Sequence, residues 1–308
     1  MRRRPAAIHE LALEAASSTG GVLSRALLAD LGVDRADVAA QVRERRWRLH
    51  GDRTVSVHTG VLDDVALRWR AVWEVGVRVA VVDGISALQH AGLARFEDPG
   101  TVHVSVRHTV STRPVSGVTV HKVRRHVEAH VARDGLPIAR PAAAAVRAAH
   151  WARSDRQASL VLLMAVQQRL CSAEELLAAQ ADVRGRTRRA LIKAVALDAA
   201  GGAHSLGELD FARLCRRHGL PEPTRQVLRR GPGGRVYLDV RWACGLVVEI
   251  DGAGHRWGLA VMDDNLRQNA VTLGGDTVLR IDTVGLRLAE DRFMAQVVAA
   301  HRRLSVPA

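Results

Sequence analysis

Lysine is nearly missing from this chain. Of its 45 Lys and Arg residues, Lys122 and Lys193 are the two lysines, so no lysine amine serves beyond position 193. Cysteine is almost as scarce. Cys171, Cys215 and Cys244 lie far apart and form no CxxC, which argues against a disulfide framework or a structural zinc site. No apolar run approaches the ~18 residues needed to cross a bilayer. The start, "MRRRPAAIHELALEAASS", is basic, but Glu10 and Glu14 interrupt what would have to be the apolar stretch of a secretion signal. Cytoplasmic residence without a membrane partner is therefore expected.

What is present is ordinary for soluble globular protein: 47% hydrophobic and 25% charged residues over 308 positions, room for two or three domains. The formal net charge of +13 suits a polyanionic partner such as nucleic acid. The excess of arginine over lysine and the abundant alanine also fit a high-GC genome, so charge alone does not decide the function.

The first sixty residues read as three helices and a hairpin. Ile8, Leu11, Leu13 and Ala15 supply the apolar positions of a first helix ending before "STGG". In "VLSRALLADLG", Leu23, Leu27, Leu28 and Leu31 recur at helical spacing. Asp34 is placed to cap a third helix carrying Val38 and Val42. "WRLHGDRTVSVH" then alternates as two short strands around Gly51-Asp52. These are the parts of a winged helix-turn-helix. Arg35, Arg43, Arg45, Arg46, Arg48 and Arg53 fall on or near its third helix and wing, where they suit DNA phosphates. The bland reading is a small helical bundle with solvated arginines.

Residues 61–200 predict a mixed α/β region followed by helices. Trp69 and Trp73, four apart on a helix, read as core. "VAVVDGISALQHAGL" reads as strand, turn and helix, and "GTVHVSVRH" and "SGVTVHKV" as strands. His121, His126 and His130 invite a metal reading, but no Cys or carboxylate stands at ligand spacing, so hydrogen-bonded or solvated histidines are the simpler account. "RGRTRR" (184–189) is a basic cluster in the helical part.

Residues 201–308 carry the chemistry. "YLDVRW" and "LVVEID" flank Ala243-Cys244-Gly245, a three-residue hairpin loop closed by a glycine. That loop pairs Trp242 with Leu246, and so Asp239 with Glu249 and Tyr237 with Asp251. In this register Leu238, Val240, Trp242, Leu246, Val248 and Ile250 share one face. Tyr237, Asp239, Arg241, Val247, Glu249 and Asp251 share the other. Facing carboxylates, with β-carbons about 5 Å apart, repel unless a proton, an arginine or a cation intervenes. Oxygen-only ligation at an open site suits Mg²⁺ or Mn²⁺, on which a water becomes acidic enough to attack a phosphodiester. The competing reading is an exposed hairpin face whose acids pair with Arg241 and Arg280.

Around the hairpin, "HSLGELDFARLCRRHGLPEP" reads as an amphipathic helix, with Ser205 and Glu208 as a capping box. "DDNLRQNAVTLGG" places Asp264 and Arg267 on one helix face, "DTVLRI" is a third strand, and "LAEDRFMAQVVAAHRRL" a final helix.

Two resemblances follow. "GGVLSRALLADLGVDRADVAAQV", the "WRLHGDRTVSVH" wing, "GISALQHAGL" and "GLPIARPAAAA" resemble the antitoxin-like family of abortive-infection type IV toxin–antitoxin systems over roughly the first half. This implies a winged-helix DNA-binding module, without implying a toxin partner. The ordered run S-x-x-E, "GLPEP…Q", "YLDVRW", "VVEIDGAGH", D-x-x-R and "GDTVLRI", over about residues 203–304, resembles a restriction-endonuclease-like family of the PD-(D/E)XK nuclease superfamily, related to the very-short-patch repair endonucleases. It implies an α/β/α domain with Mg²⁺ held by Asp239 and Glu249. Glu208 would approach from its helix, Asp251 would stand two residues past Glu249, and His255 would be a general acid or base. Asp264 and Arg267 would orient the site or a phosphate. The superfamily's usual lysine is replaced here by Asp251, which puts turnover in question.

The fold expected is therefore a multidomain α+β protein: a winged helix-turn-helix (1–60), a mixed α/β then helical region (61–200), and a restriction-endonuclease-like domain (201–308). The function expected is metal-dependent DNA cleavage, with double-stranded DNA as partner and a homodimer an allowed assembly. The alternative is an antitoxin-like repressor with a catalytically silent nuclease fold.

Overall fold

The computed structural model describes residues 5–96, 100–125, 128–132, 135–185, 187–200, 211–230, 236–251, 262, 265–266, 269 and 278–305. The chain divides into two compact units, Met1–Arg140 and Pro141–Ala308, with the division falling inside the 61–200 segment. Twelve α-helices and three β-sheets among the described residues make it an α+β protein. No helix among them is long and apolar enough to cross a membrane.

The first unit opens with α1 (Pro5–Ala15), β1 (Val22–Ser24), α2 (Arg25–Asp30), α3 (Arg35–Arg43), β2 (Arg48–Leu49) and β3 (Thr54–Ser56). The three strands form an antiparallel sheet in the order β1-β3-β2. Here the structure departs from the helical reading of "VLSRALLADLG". Val22 and Leu23 pair with Ser56 and Val55, and the helix starts only at Arg25. Ser24, in an extended conformation, accepts the Leu27 N–H at 3.1 Å and sets that boundary, as an N-cap does. Asp34 caps α3 with Asp37 returning the bond, so two otherwise unpaired donors are satisfied together.

Ile8, Ala12, Leu28, Val38, Trp47 and Val55 pack as one core beneath these elements. Trp47 is buried with its indole N–H donating to His9 Nδ1 at 2.9 Å, the partner a buried indole needs. Next comes α4 (Asp64–Val75), where the Trp69 and Trp73 rings lie tilted at 31° with centroids 5.1 Å apart, Trp73 in the core as its spacing suggested. From α4, Glu74 accepts the N–H groups of Asp52 and Arg53 and the Thr54 hydroxyl, which fixes the β2–β3 loop. Gly51 at φ +142° makes that approach feasible, since a β-carbon there would stand 2.5 Å from the Glu74 carboxyl carbon.

The rest of this unit is a five-stranded sheet in the order β6-β5-β4-β8-β7. Its strands are β4 (Val81–Val82), β5 (Val102–Arg107), β6 (Val118–Val123), β7 (Val131–Ala132) and β8 (Ile138–Ala139), with α5 (Gly84–His90) following β4. The β5–β6 and β4–β8 pairs are parallel, the others antiparallel.

The second unit begins with α6 (Pro141–Trp151), α7 (Asp155–Gln167), α8 (Ala173–Asp182) and α9 (Arg189–Ala199). Ala143, Ala144, Ala145, Ala148 and Ala149 line the buried side of α6, and small side chains there allow close helix packing. Ser154 and Ser172 cap α7 and α8. There follow α10 (Phe211–Arg217), β9 (Arg225–Arg230), β10 (Val236–Arg241), β11 (Val247–Asp251), β12 (Val278–Asp282), α11 (Thr283–Leu288) and α12 (Glu290–Ser305). Met262, Asn265, Leu266 and Asn269 are also helical.

These last strands form a mixed sheet in the order β12-β11-β10-β9, antiparallel except for the parallel β11–β12 pair. One face of the hairpin is the core face: Leu238, Val240, Trp242, Leu246, Val248 and Ile250 are all buried, against Phe211, Met262, Phe293 and Val297 among others. Burying a large apolar side chain stabilises by about 1.5–3 kcal/mol, so this face sets the register. The turn is closed by Gly245 at φ +87°, with the Trp242 N–H donating to the Leu246 carbonyl at 3.1 Å.

Candidate metal centre

The register brings the acids together. Asp239 is the Cα partner of Glu249 and Tyr237 that of Asp251, the pairing expected from the hairpin loop. Asp239 and Glu249 thus stand on adjacent strands with their side chains on the same side of the sheet. Asp239 is only 4% exposed, whereas Glu249 and Asp251 on the same face are half-buried and Arg241 is exposed.

Each carboxylate carries its own guanidinium. Arg241, two residues along β10 and hence on the same face, grips Asp239 with Nε 3.0 Å from Oδ1 and Nη2 3.1 Å from Oδ2. Two charge-assisted bonds in a fork are among the stronger polar contacts a protein makes. Glu249 accepts from Arg280 Nε at 3.3 Å, because the parallel β11–β12 pairing makes Arg280 its Cα partner. Both arginine side chains are 48% exposed, whereas Asp239 and Glu249 side chains are 5% and 27% exposed. The acids lie under the arginines.

A second acidic pairing lies along the sheet. Asp251 is the Cα partner of Asp282, a residue the sequence reading did not single out. Asp282 is buried and caps α11, accepting the Gly285 N–H at 2.5 Å on Oδ1 and Asn265 Nδ2 at 3.3 Å on Oδ2. Burial, with a contribution from the nearby Asp251 charge, pushes its carboxyl above the ordinary carboxylate range, against the hydrogen bonds that favour ionisation. The cap pattern, an Asp between a strand and a helical run, was the signal available for it.

Asn269 holds the edge strand. Its Nδ2 donates to the Arg280 carbonyl at 2.8 Å and its Oδ1 accepts the Arg280 N–H at 2.9 Å. Among the described residues no strand pairs with β12 on that side, and the side-chain amide satisfies its backbone groups there and fixes the backbone from which Arg280 reaches Glu249. Glu208, His255, Asp264 and Arg267 lie outside the described residues.

The donor set at Asp239 and Glu249 fits a hard divalent cation. It offers oxygen only, and Mg²⁺ or Mn²⁺ keeps several waters beside a few protein oxygens. A cation there would compete with the two guanidiniums for the same carboxylates. Another group, His218, Glu290 and Asp291, has ligand atoms all within 4.8 Å of one another. Arg217 Nη2 lies 2.6 Å from Glu290 Oε1, and both acids occupy the first turn of α12, where negative charge complements the helix dipole. That cluster is accounted for without an ion.

In the first unit, Arg35 opens α3, and Arg43, Arg45 and Arg48 run from its last turn to β2, all four exposed. Arg46 is engaged internally, with Nε 2.8 Å from Gln41 Oε1 and an ion pair to Glu44. Arg53 is exposed but donates Nη1 to the Trp73 carbonyl at 3.3 Å. Of the histidines singled out, His126 lies outside the described residues, and His121 faces His103 at 2.9 Å between ring nitrogens.

No protein-family model matches the chain, and no curated protein matches it. Among solved structures it is similar to the Rv2827c protein of Mycobacterium tuberculosis, at 18% identity and a TM-score of 0.43. The similarity covers 67% of this chain and 82% of that one. A likeness this distant assigns neither fold family nor function.

Proposed function

We propose that the protein binds double-stranded DNA and hydrolyses its phosphodiester bonds at a divalent-cation centre built on Asp239 and Glu249. The observation that carries the reading is the Asp239↔Glu249 register on a buried, otherwise well-packed hairpin. Two facing acids are costly to place there without a positive charge between or beside them. In this reading the final sheet with its flanking helices is a restriction-endonuclease-like α/β/α domain. The α1–α3 helices with sheet β1-β3-β2 are a winged helix-turn-helix, with Arg35, Arg43, Arg45 and Arg48 toward DNA phosphates.

A Mg²⁺ or Mn²⁺ ion bound there supplies positive charge and an acidified water. Asp239 and Glu249 would hold it. Glu208 and His255 are assigned from the resemblance as a further ligand and a general acid or base, and Asp264 and Arg267 as orienting groups. Asp251 takes the place of a lysine, so charge building up on the phosphate falls to arginines.

A second reading is favoured by one observation: both acids are already neutralised by Arg241 and Arg280. It makes the domain a silent nuclease fold that grips DNA, in an antitoxin-like repressor without an established toxin partner. Nicking of supercoiled plasmid in Mg²⁺ or Mn²⁺ separates the two. Nicking lost in both Asp239→Ala and Glu249→Ala supports the nuclease. DNA binding without nicking, retained by both variants, leaves the repressor.

A further inference from the structure

Arg241 and Arg280 each lie on one of the two acids, and neither belongs to the ligand set proposed above. Both project from the strands that carry or flank the acids, and both are about half exposed, so their guanidiniums reach solvent without unfolding anything. Arg280 is further fixed at its backbone by the two-bond clasp of Asn269, so a change of partner involves its side chain alone. A guanidinium binds carboxylate and phosphate with the same forked geometry. These two groups therefore satisfy the acids when neither cation nor DNA is present, and phosphate oxygens can satisfy the guanidiniums when DNA arrives.

We infer that Arg241 and Arg280 are exchangeable counter-ions, closing the Asp239–Glu249 pair in the free chain and passing to DNA phosphates when a divalent cation takes the acids. The inference rests on the metal-centre reading and deepens it, because it couples cation loading to DNA binding. Coupling of this kind is reciprocal: whatever frees the arginines raises affinity for phosphate, and whatever removes them raises affinity for the cation.

Mn²⁺ binding to the full chain, read from the loss of the free-ion paramagnetic resonance signal, tests the first half without DNA. Glu249→Gln should weaken binding. Arg241→Gln and Arg280→Gln should each tighten it by about threefold to tenfold, the scale of one or less than one ion-pair competitor removed. A gain of affinity is an outcome that structural damage does not produce. If Glu249→Gln weakens binding but the arginine variants bind no tighter than wild type, the exchange is wrong and the metal centre stands. If neither wild type nor the arginine variants bind Mn²⁺ through Glu249, the underlying reading fails instead.

Duplex DNA binding in EDTA, where no cation is present, tests the other half. Glu249→Gln should bind more tightly, with a salt dependence steeper by about one phosphate contact as Arg280 is released. That gain should vanish in the Glu249→Gln, Arg280→Gln double variant relative to Arg280→Gln alone. An equal gain in both backgrounds would mean that only net charge changed, and would overturn the exchange.

Discussion

Arg287 on α11 places Nε 3.1 Å from Oδ2 of Asp198 on α9, a carboxylate whose side chain has no exposed surface. The contact ties the helical segment to the sheet-bearing segment of the same unit, across 89 positions of sequence. Burying a carboxylate is costly unless charge and hydrogen bonds compensate it. Arg287→Ala removes the guanidinium and should destabilise the second unit by about 2–4 kcal/mol. Denaturant unfolding of the variant would show this as a lower midpoint at similar slope. A loss under ~0.5 kcal/mol would mean that the ion pair adds little to what already compensates Asp198.

Acid should weaken the first unit through a histidine pair. His103 and His121 stack at 12° between ring planes, with Nδ1 of the former 2.9 Å from Nε2 of the latter. Burial first, and the His103 charge second, push His121 down from 6.5 to about 4. A lowered folded-state value means that the unfolded chain binds the proton more readily. The stability is therefore present above pH 6.5 and lost as pH falls from there toward 4. A tenfold difference in proton affinity is worth about 1.4 kcal/mol, and solvent screening of the partly buried ring reduces the total effect to on the order of 1–2 kcal/mol. Melting temperature against pH should fall less steeply across this window in His121→Gln than in wild type; equal slopes would exclude the pair as the cause.

The exposed arginines of the first unit should act on salt dependence more than on stability. In a duplex-binding titration, Arg43→Gln and Arg48→Gln should each lower the slope of log affinity against log salt by about 0.9. Arg46→Gln, which also loses its Gln41 and Glu44 contacts, should lower the melting temperature as well. Unchanged slopes for Arg43 and Arg48 would place the DNA surface elsewhere.

Thiol reactivity should separate the three cysteines. Burial pushes Cys171 and Cys215 up to about 12, so their thiolates are scarce near neutral pH. Cys244, half-buried in the hairpin turn, is the accessible one. A disulfide reagent at pH 8 should titrate one thiol in the folded chain and three after denaturation. Rapid reaction of all three in the folded chain would contradict the packing around α10 and α8.

Much of the local structure could be read from residue order because its causes are local. Alternation with a period of two, a three-residue loop and Gly245 suffice to pair Asp239 with Glu249, since a one-residue slip would turn the three apolar side chains of one strand out of the core. Ser24 shows the limit. The Leu spacing around it suits a helix, yet Val22 and Leu23 gain more as a strand against β3, a partner some thirty residues away that periodicity does not reveal.

The centre divides along the same line. Composition and the hairpin pattern were enough to place two acids face to face and to name Arg241 and Arg280 as their candidate partners. Which arginine sits on which acid, the deep burial of Asp239, the Asp251↔Asp282 pairing and the Asn269 clasp came only from the folded chain. The reason is physical: antiparallel neighbours joined by a tight turn are specified by a few adjacent residues. A parallel neighbour such as β12 returns after a long crossover, and its register is set by packing against the whole core.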